Sequence, residues 1–125
     1  MKERSITVLT DASLITCIVQ RGVADDVVKA AQDAGAQGAT VHYGQGVGVR
    51  ERLGILGLAV EVEKEVITII VANDQADRVF EAMYLAGKLD TPGMGIMTLG
   101  PLEKVATFVP RELVDELSKK RGSRT

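Results

Sequence analysis

Glycine marks the two stretches of this chain best suited to binding chemistry. One is Gly44-Gln45-Gly46-Val47-Gly48-Val49-Arg50, the other Pro92-Gly93-Met94-Gly95. Successive backbone N–H groups in glycine-rich turns form concavities that favour anions. Glycine also lets a phosphate come close to the main chain. Arg50, Arg52, Lys64 and Lys88 are candidates to add positive charge there. A dinucleotide-binding glycine loop opens directly into a helix whose amino end holds the pyrophosphate. Here the chain runs instead through Arg50-Glu51-Arg52-Leu53-Gly54-Ile55-Leu56-Gly57 into a second extended segment, which argues against a dehydrogenase. Either loop alone reads as a tight turn with solvated cations. The two together favour binding.

The other reactive side chains offer less. His42 is the single histidine, without a Ser, Cys or carboxylate cluster at motif spacing, and reads as structural or surface rather than as a catalytic base. Cys17 lies in the most apolar segment and reads as a small core residue. Glu61, Glu63 and Glu65 could face a metal, but one Cys and one His supply no soft or nitrogen-ligand cage, so no metal site is assigned. A charged strand edge that discourages aggregation is the default reading for these glutamates. Met83, Met94 and Met97 read as packing and loop filling. No catalytic set emerges.

The elements that must position these groups follow from periodicity. Leu14-Ile15-Thr16-Cys17-Ile18-Val19 is a β-branched run bounded by Ser13 and Gly22, hence a buried strand. Val23, Val27, Ala30, Ala31 and Ala34 recur at helical spacing opposite Asp25, Asp26, Lys29, Gln32 and Asp33, and Gly35 ends that helix. Residues 39–43 alternate as a second strand, and the glycine loop occupies 44–59. Residues 60–72 form a long strand. Its glutamates share the parity of Ile67, Ile69 and Val71, which predicts a bulge or a change of face near Glu65. A second helix begins with Asn73 or Asp74 as N-cap, buries Ala76, Val79, Phe80 and Met83, and stops at Gly87. Short strands at 96–99 and 105–109 flank a Gly100-Pro101 break. Pro110 opens a last helix, and residues 5–9 form an extra first strand.

Strand, helix, strand, strand, helix, strand is the split βαβ, or ferredoxin-like, α+β pattern. It predicts one domain over 1–125, with an N-terminal extension at 1–13 and a C-terminal helix and tail at 110–125. Its topology brings loops 44–48 and 90–95 to one edge of the sheet. Fifteen basic against 17 acidic side chains give no global field toward nucleic acid or anionic lipid. With aromatics at 3% and no Trp, stacking platforms for single strands are missing. A single Cys fits a reducing compartment. Met1-Lys2-Glu3-Arg4 leads into no signal-peptide pattern, and the apolar run at 66–72 is too short to span a bilayer. A soluble, cytoplasmic protein without membrane insertion is expected.

In order and spacing, Gly35-Ala36-Gln37-Gly38-Ala39-Thr40-Val41, Gly46-Val47-Gly48, Glu63-Lys64-Glu65-Val66-Ile67-Thr68-Ile69-Ile70-Val71 and Leu89-Asp90-Thr91-Pro92-Gly93-Met94-Gly95-Ile96, followed by Val105, form a recognisable series. From about residue 14 to 109 the chain resembles the PII signal-transduction proteins, in their divergent PII-like branch. The resemblance implies a homotrimer with adenine nucleotide in the clefts between subunits. It also implies a T-loop, here 44–59, that docks on a membrane transporter or an enzyme. By position, Gly38 and Thr40 match the adenine side, while Gly46, Val47 and Gly48 match the base of the T-loop. Ile70 matches an apolar contact, and Gly93, Met94 and Gly95 match the phosphate-contacting B-loop. Lys64 falls where the family carries a lysine facing the small-anion effector, with Arg50 and Lys88 as further effector candidates.

Departures from the family pattern refine that expectation. The T-loop has neither Tyr nor Ser, so it lacks an acceptor for the modification known in the nitrogen regulators. Arg50 replaces a Gln used there with magnesium-bound 2-oxoglutarate. Thr107 and Val109 stand roughly where the family has arginines, and each charge-assisted phosphate contact is worth about 1.5–3 kcal/mol. ADP or AMP is therefore expected to compete well against ATP, with bicarbonate among the admissible anions and no prosthetic group. The leading expectation is a non-catalytic regulator whose ligand orders residues 44–59. The alternative is a ligand-free trimeric interaction module of the same fold. An enzyme would rest only on Cys17, His42 and the glutamates.

Overall fold

The computed structural model describes residues 6–45, 63–108 and 110–112. Its elements are β1 (Val8–Leu9), β2 (Ala12–Gln20), α1 (Ala24–Asp33), β3 (Thr40–Gln45) and β4 (Glu63–Ala72), then α2 (Asn73–Ala86), β5 (Gly95–Leu102) and β6 (Val105–Ala106). The main sheet has strand order β3-β4-β2-β5 and is antiparallel throughout. This is the ferredoxin-like arrangement, with both helices over one face. Among the described residues no helix is long and apolar enough to cross a membrane.

The core lies between that face and the helices. Ile15, Cys17 and Val19 of β2 and Ile67, Ile69 and Val71 of β4 meet Val27 and Ala31 of α1 and Ala76, Val79 and Met83 of α2. Period-2 and helical spacing put these residues on facing surfaces. The opposite sheet face carries Leu14, Ile18, Val66 and Ile96, all half-buried, and Ile70, which is 52% exposed.

Four expectations are corrected. The β2–β4 register runs unbroken from Ala12↔Ala72 to Gln20↔Lys64, so no bulge or change of face occurs at Glu65. Glu65 keeps the inward parity and is buried. Nor is it a charged strand edge, because β4 is interior to the sheet. The Gly100-Pro101 pair does not interrupt β5, since Pro101 stands opposite Ser13 within the ladder. β5 is an edge strand, where a missing N–H can face away from the sheet. Finally, the N-cap of α2 is Ala72, without a side-chain cap bond.

Asn73 serves another purpose. Its Oδ1 accepts from Ser13 Oγ at 2.6 Å, its Nδ2 donates to Asp11 Oδ1 at 2.9 Å, and its backbone N–H donates to the Asp11 carbonyl at 3.1 Å. These contacts clamp the β4–α2 corner onto the start of β2. Of the expected first strand at 5–9, only Val8–Leu9 form β1, which pairs with β6 in the same register as the β2–β5 ladder. The extension thus continues that ladder past Asp11 as a two-stranded ribbon. Arg111 and Glu112 are helical, and the rest of the expected last helix falls outside the described residues.

Candidate functional site

Two turns shape the region around residues 87–95. At the end of α2 the Leu89 amide donates to the Tyr84 carbonyl at 3.1 Å and the Lys88 amide to Leu85 at 3.2 Å. The residue that reverses the chain is Lys88, at φ 54, rather than Gly87 as its position suggested. Next comes Thr91-Pro92-Gly93-Met94, closed by the Met94 amide on the Thr91 carbonyl at 3.3 Å. Proline at the second position and glycine at φ 82 at the third are what a type II turn demands. Gly95 follows at φ 153. A Cβ there would collide with the Ile18 carbonyl, so the close approach of β5 to β2 requires glycine.

The strand register places this turn and the long-loop roots at one end of the sheet. Gly44 stands opposite Lys64, Lys64 opposite Gln20, and Val19 opposite Gly95. Gly44 and Gln45, the described root of the long loop, and the Thr91–Gly95 turn therefore lie at one end of the sheet. The expected convergence on one edge is corrected, because β3 and β5 are the opposite edge strands. Three strand spacings separate them, roughly 14 Å.

Lys64 is the unusual group in this row. Although it lies on the face away from the helices, it is only 1% exposed. Its Nζ has no hydrogen-bond partner among the described residues. Burial holds its pKa below the ordinary 10.5, because the charged form is desolvated. The flanking carboxylates among the described residues are engaged elsewhere. Glu63 pairs with Arg21 at 2.7 Å in an exposed ion pair. Glu65, on the other face, accepts from the Gly22 and Ala24 amides at the start of α1.

The remaining candidates separate into groups. Lys88 is exposed at the end of α2, which runs back along β4 and so finishes at the same end as the loop roots. Gly38 and Thr40 are exposed just before and at the start of β3, and Ile70 lies six residues along β4 from Lys64. At the rise of a strand that is roughly 20 Å. Gly38, Thr40 and Ile70 thus do not join Gly93, Met94 and Gly95 within one chain. Gly46, Val47, Gly48 and Arg50 lie outside the described residues. His42 is exposed, and Cys17 is fully buried with its thiol pushed up to about 12 by desolvation, which makes it a poor nucleophile.

Two participants were missed from sequence. Gln20 donates through Nε2 to the Gly93 carbonyl at 2.7 Å and joins the turn to the end of β2. No local pattern marks such a contact across 73 positions. Glu65 did carry a signal, its parity with Ile67 and Ile69, but a buried carboxylate requires donors that the strand itself does not reveal.

Comparison with known proteins bears on the whole assembly of elements. A family model described as nitrogen regulatory protein P-II matches residues 12–112. Among solved structures the chain is similar to Arabidopsis thaliana PII bound to citrate, with a TM-score of 0.60 and 21% identity, covering 75% of this chain and 79% of that one. None of the curated proteins matches. The structural likeness carries the ferredoxin-like fold, and the family match takes in every main strand, both helices and the glycine turn. The chain belongs to the nitrogen regulatory protein P-II family.

Proposed function

We propose that this chain is a non-catalytic signalling protein that binds an adenine nucleotide together with a small anion in clefts between the subunits of a homotrimer. The carrying observation is Lys64, a buried ammonium without a partner among the described residues, in one transverse row with Gly44 and with Gln20, whose side chain reaches the Thr91–Gly95 segment. An unpaired buried cation is costly to keep. An anion arriving there recovers that cost, so the site is built for a ligand rather than for stability. Bicarbonate fits the small, singly charged class that one lysine can balance.

The separation of the other candidates supports a composite site. Gly38, Thr40 and Ile70 are exposed and too far along the sheet from Gly93–Gly95 to touch one nucleotide within a chain. A neighbouring copy would supply the missing half. ADP or AMP is favoured over ATP, because Thr107 offers no positive charge to a terminal phosphate. Ligand binding would alter the surface that residues 44–59 present to a transporter or enzyme, which requires different ligand affinities in the two states of that surface. The setting is cytoplasmic.

Isothermal calorimetry with ADP, AMP and ATP, each with and without bicarbonate, tests the reading. Heat from ADP and AMP at micromolar to millimolar concentration is expected, with a bicarbonate effect that Lys64→Met removes. No heat from any nucleotide would reject nucleotide sensing and leave the ligand-free interaction module.

A further inference from the structure

Gln20 is the last residue of β2, on the sheet face away from the helices and directly opposite Lys64. Its Nε2 donates to the Gly93 carbonyl at 2.7 Å. That contact fixes the amide orientation, because a carbonyl oxygen can only accept. One side chain thus touches the type II turn and flanks the buried ammonium. We propose that Gln20 is a positioning residue of the ligand site, holding the Thr91–Met94 turn against the end of β2 while leaving Lys64 uncompensated for an incoming anion. The proposal rests on the anion-binding reading of that site.

The residue type follows from two demands made at one position. The Gly93 carbonyl requires a donor, which excludes an ionised carboxylate and an alkyl chain. Lys64 requires that its charge stay available. A glutamate at position 20 would pair with it and fill the site from within, and a cation beside it would raise the electrostatic cost of both. A neutral donor of sufficient length meets both demands. Among the described residues the flanking carboxylates leave this balance intact, since Glu63 is held by Arg21 and Glu65 is turned to the α1 amides on the opposite face.

The test uses the full chain as wild type, Gln20→Leu and Gln20→Glu, with three readouts. ADP affinity is measured by calorimetry, exchange of the Met94 amide by hydrogen–deuterium exchange, and the rise in Tm on adding inorganic phosphate by thermal unfolding. In Gln20→Leu, ADP binding should weaken about five- to tenfold and the Met94 amide should exchange at least about fivefold faster, the equivalent of one lost hydrogen bond. The Ile15 and Ile69 amides should keep wild-type protection and so report an intact sheet. The phosphate response should survive in Gln20→Leu and disappear in Gln20→Glu, a split that loss of structure alone would not produce.

Wild-type ADP affinity and Met94 exchange in Gln20→Leu would overturn the proposal, as would an equal phosphate response in both variants. Should the wild type bind no ADP, the nucleotide reading falls by itself. Met94 exchange and the phosphate split then decide the role of Gln20 without it.

Discussion

Gly35 and Lys88 occupy the same backbone position after two different helices, and only one of them is suited to it. After α1 the Ala36 amide donates to the Ala31 carbonyl at 2.9 Å, with Gly35 at φ 118. After α2 the matching bond runs from Leu89 to Tyr84, with Lys88 at φ 54. A side chain in that conformation costs roughly 1 kcal/mol that glycine avoids. Lys88→Gly should therefore raise stability by about 0.5–1 kcal/mol in urea unfolding. If the ammonium serves the anion, the same variant should bind ADP more weakly, so opposite signs in stability and binding mark a functional residue. Gly38 gives the complementary test. A Cβ there meets nothing within 4 Å and its φ is ordinary, so Gly38→Ala should leave stability within about 0.5 kcal/mol of wild type. Nucleotide affinity should nevertheless fall if this surface lines the adenine, as calorimetry would show. Gly95→Ala is unsuitable for that purpose, because its Cβ would strike the Ile18 backbone and disturb the sheet itself.

At the scale of elements, α1 takes its amino-terminal cap from across the fold. Val23 provides no side-chain cap, and the Glu65 carboxylate of β4 takes the Gly22 and Ala24 amides instead. Glu65→Ala strips acceptors from two backbone donors and should cost about 1–2 kcal/mol in urea unfolding. Glu65→Gln keeps an acceptor and should cost less than half of that. An equal loss in both variants would mean that charge at the helix terminus, not hydrogen bonding, carries the effect. This residue also shows where sequence reading stops. Strands, helices and their order were legible because Ile15, Cys17 and Val19, and Val27 and Ala31, repeat at the spacing of the element that buries them. That the root of the long loop and the Thr91–Gly95 turn lie at one end of the sheet followed from connectivity alone. What the chain did not disclose was pairing between distant elements: Glu65 with α1, Gln20 with Gly93, Asn73 with Ser13 and Asp11. A carboxylate in line with Ile67 and Ile69 looks like a disruption of the pattern until its donors are seen. The distribution of the nucleotide candidates was hidden for a similar reason, since distances between residues of different strands depend on register.

For the molecule as a whole, the sheet face without helices sets the remaining problem. Leu14, Ile18, Val66 and Ile96 are only half-buried there and Ile70 is exposed, an apolar surface of the kind that subunit contacts cover. If the proposed trimer forms through this face, Ile70→Arg should shift light-scattering mass from trimer toward monomer, with far-UV circular dichroism unchanged. Lys64 stands on that same face, and its effect on stability has a definite sign. The folded pKa is depressed below 10.5 by burial. Between the depressed value and 10.5 the unfolded chain binds a proton that the folded chain does not, so stability rises with pH across that window. Below the window the penalty for the buried charge is fully present, and above 10.5 it is gone. Lys64→Met should thus stabilise the protein at neutral pH by about 1–3 kcal/mol, the cost of an unsatisfied buried donor. The advantage should shrink as the pH approaches 10.5, with unfolding followed at one fixed protein concentration because the proposed subunit association would contribute to the apparent stability. Added anion should act on the wild type as the substitution does, raising its neutral-pH stability toward that of the variant and leaving the variant unmoved. A wild type more stable than Lys64→Met at neutral pH without anion would show that the ammonium is already paired and would remove the observation that carries the proposed anion site.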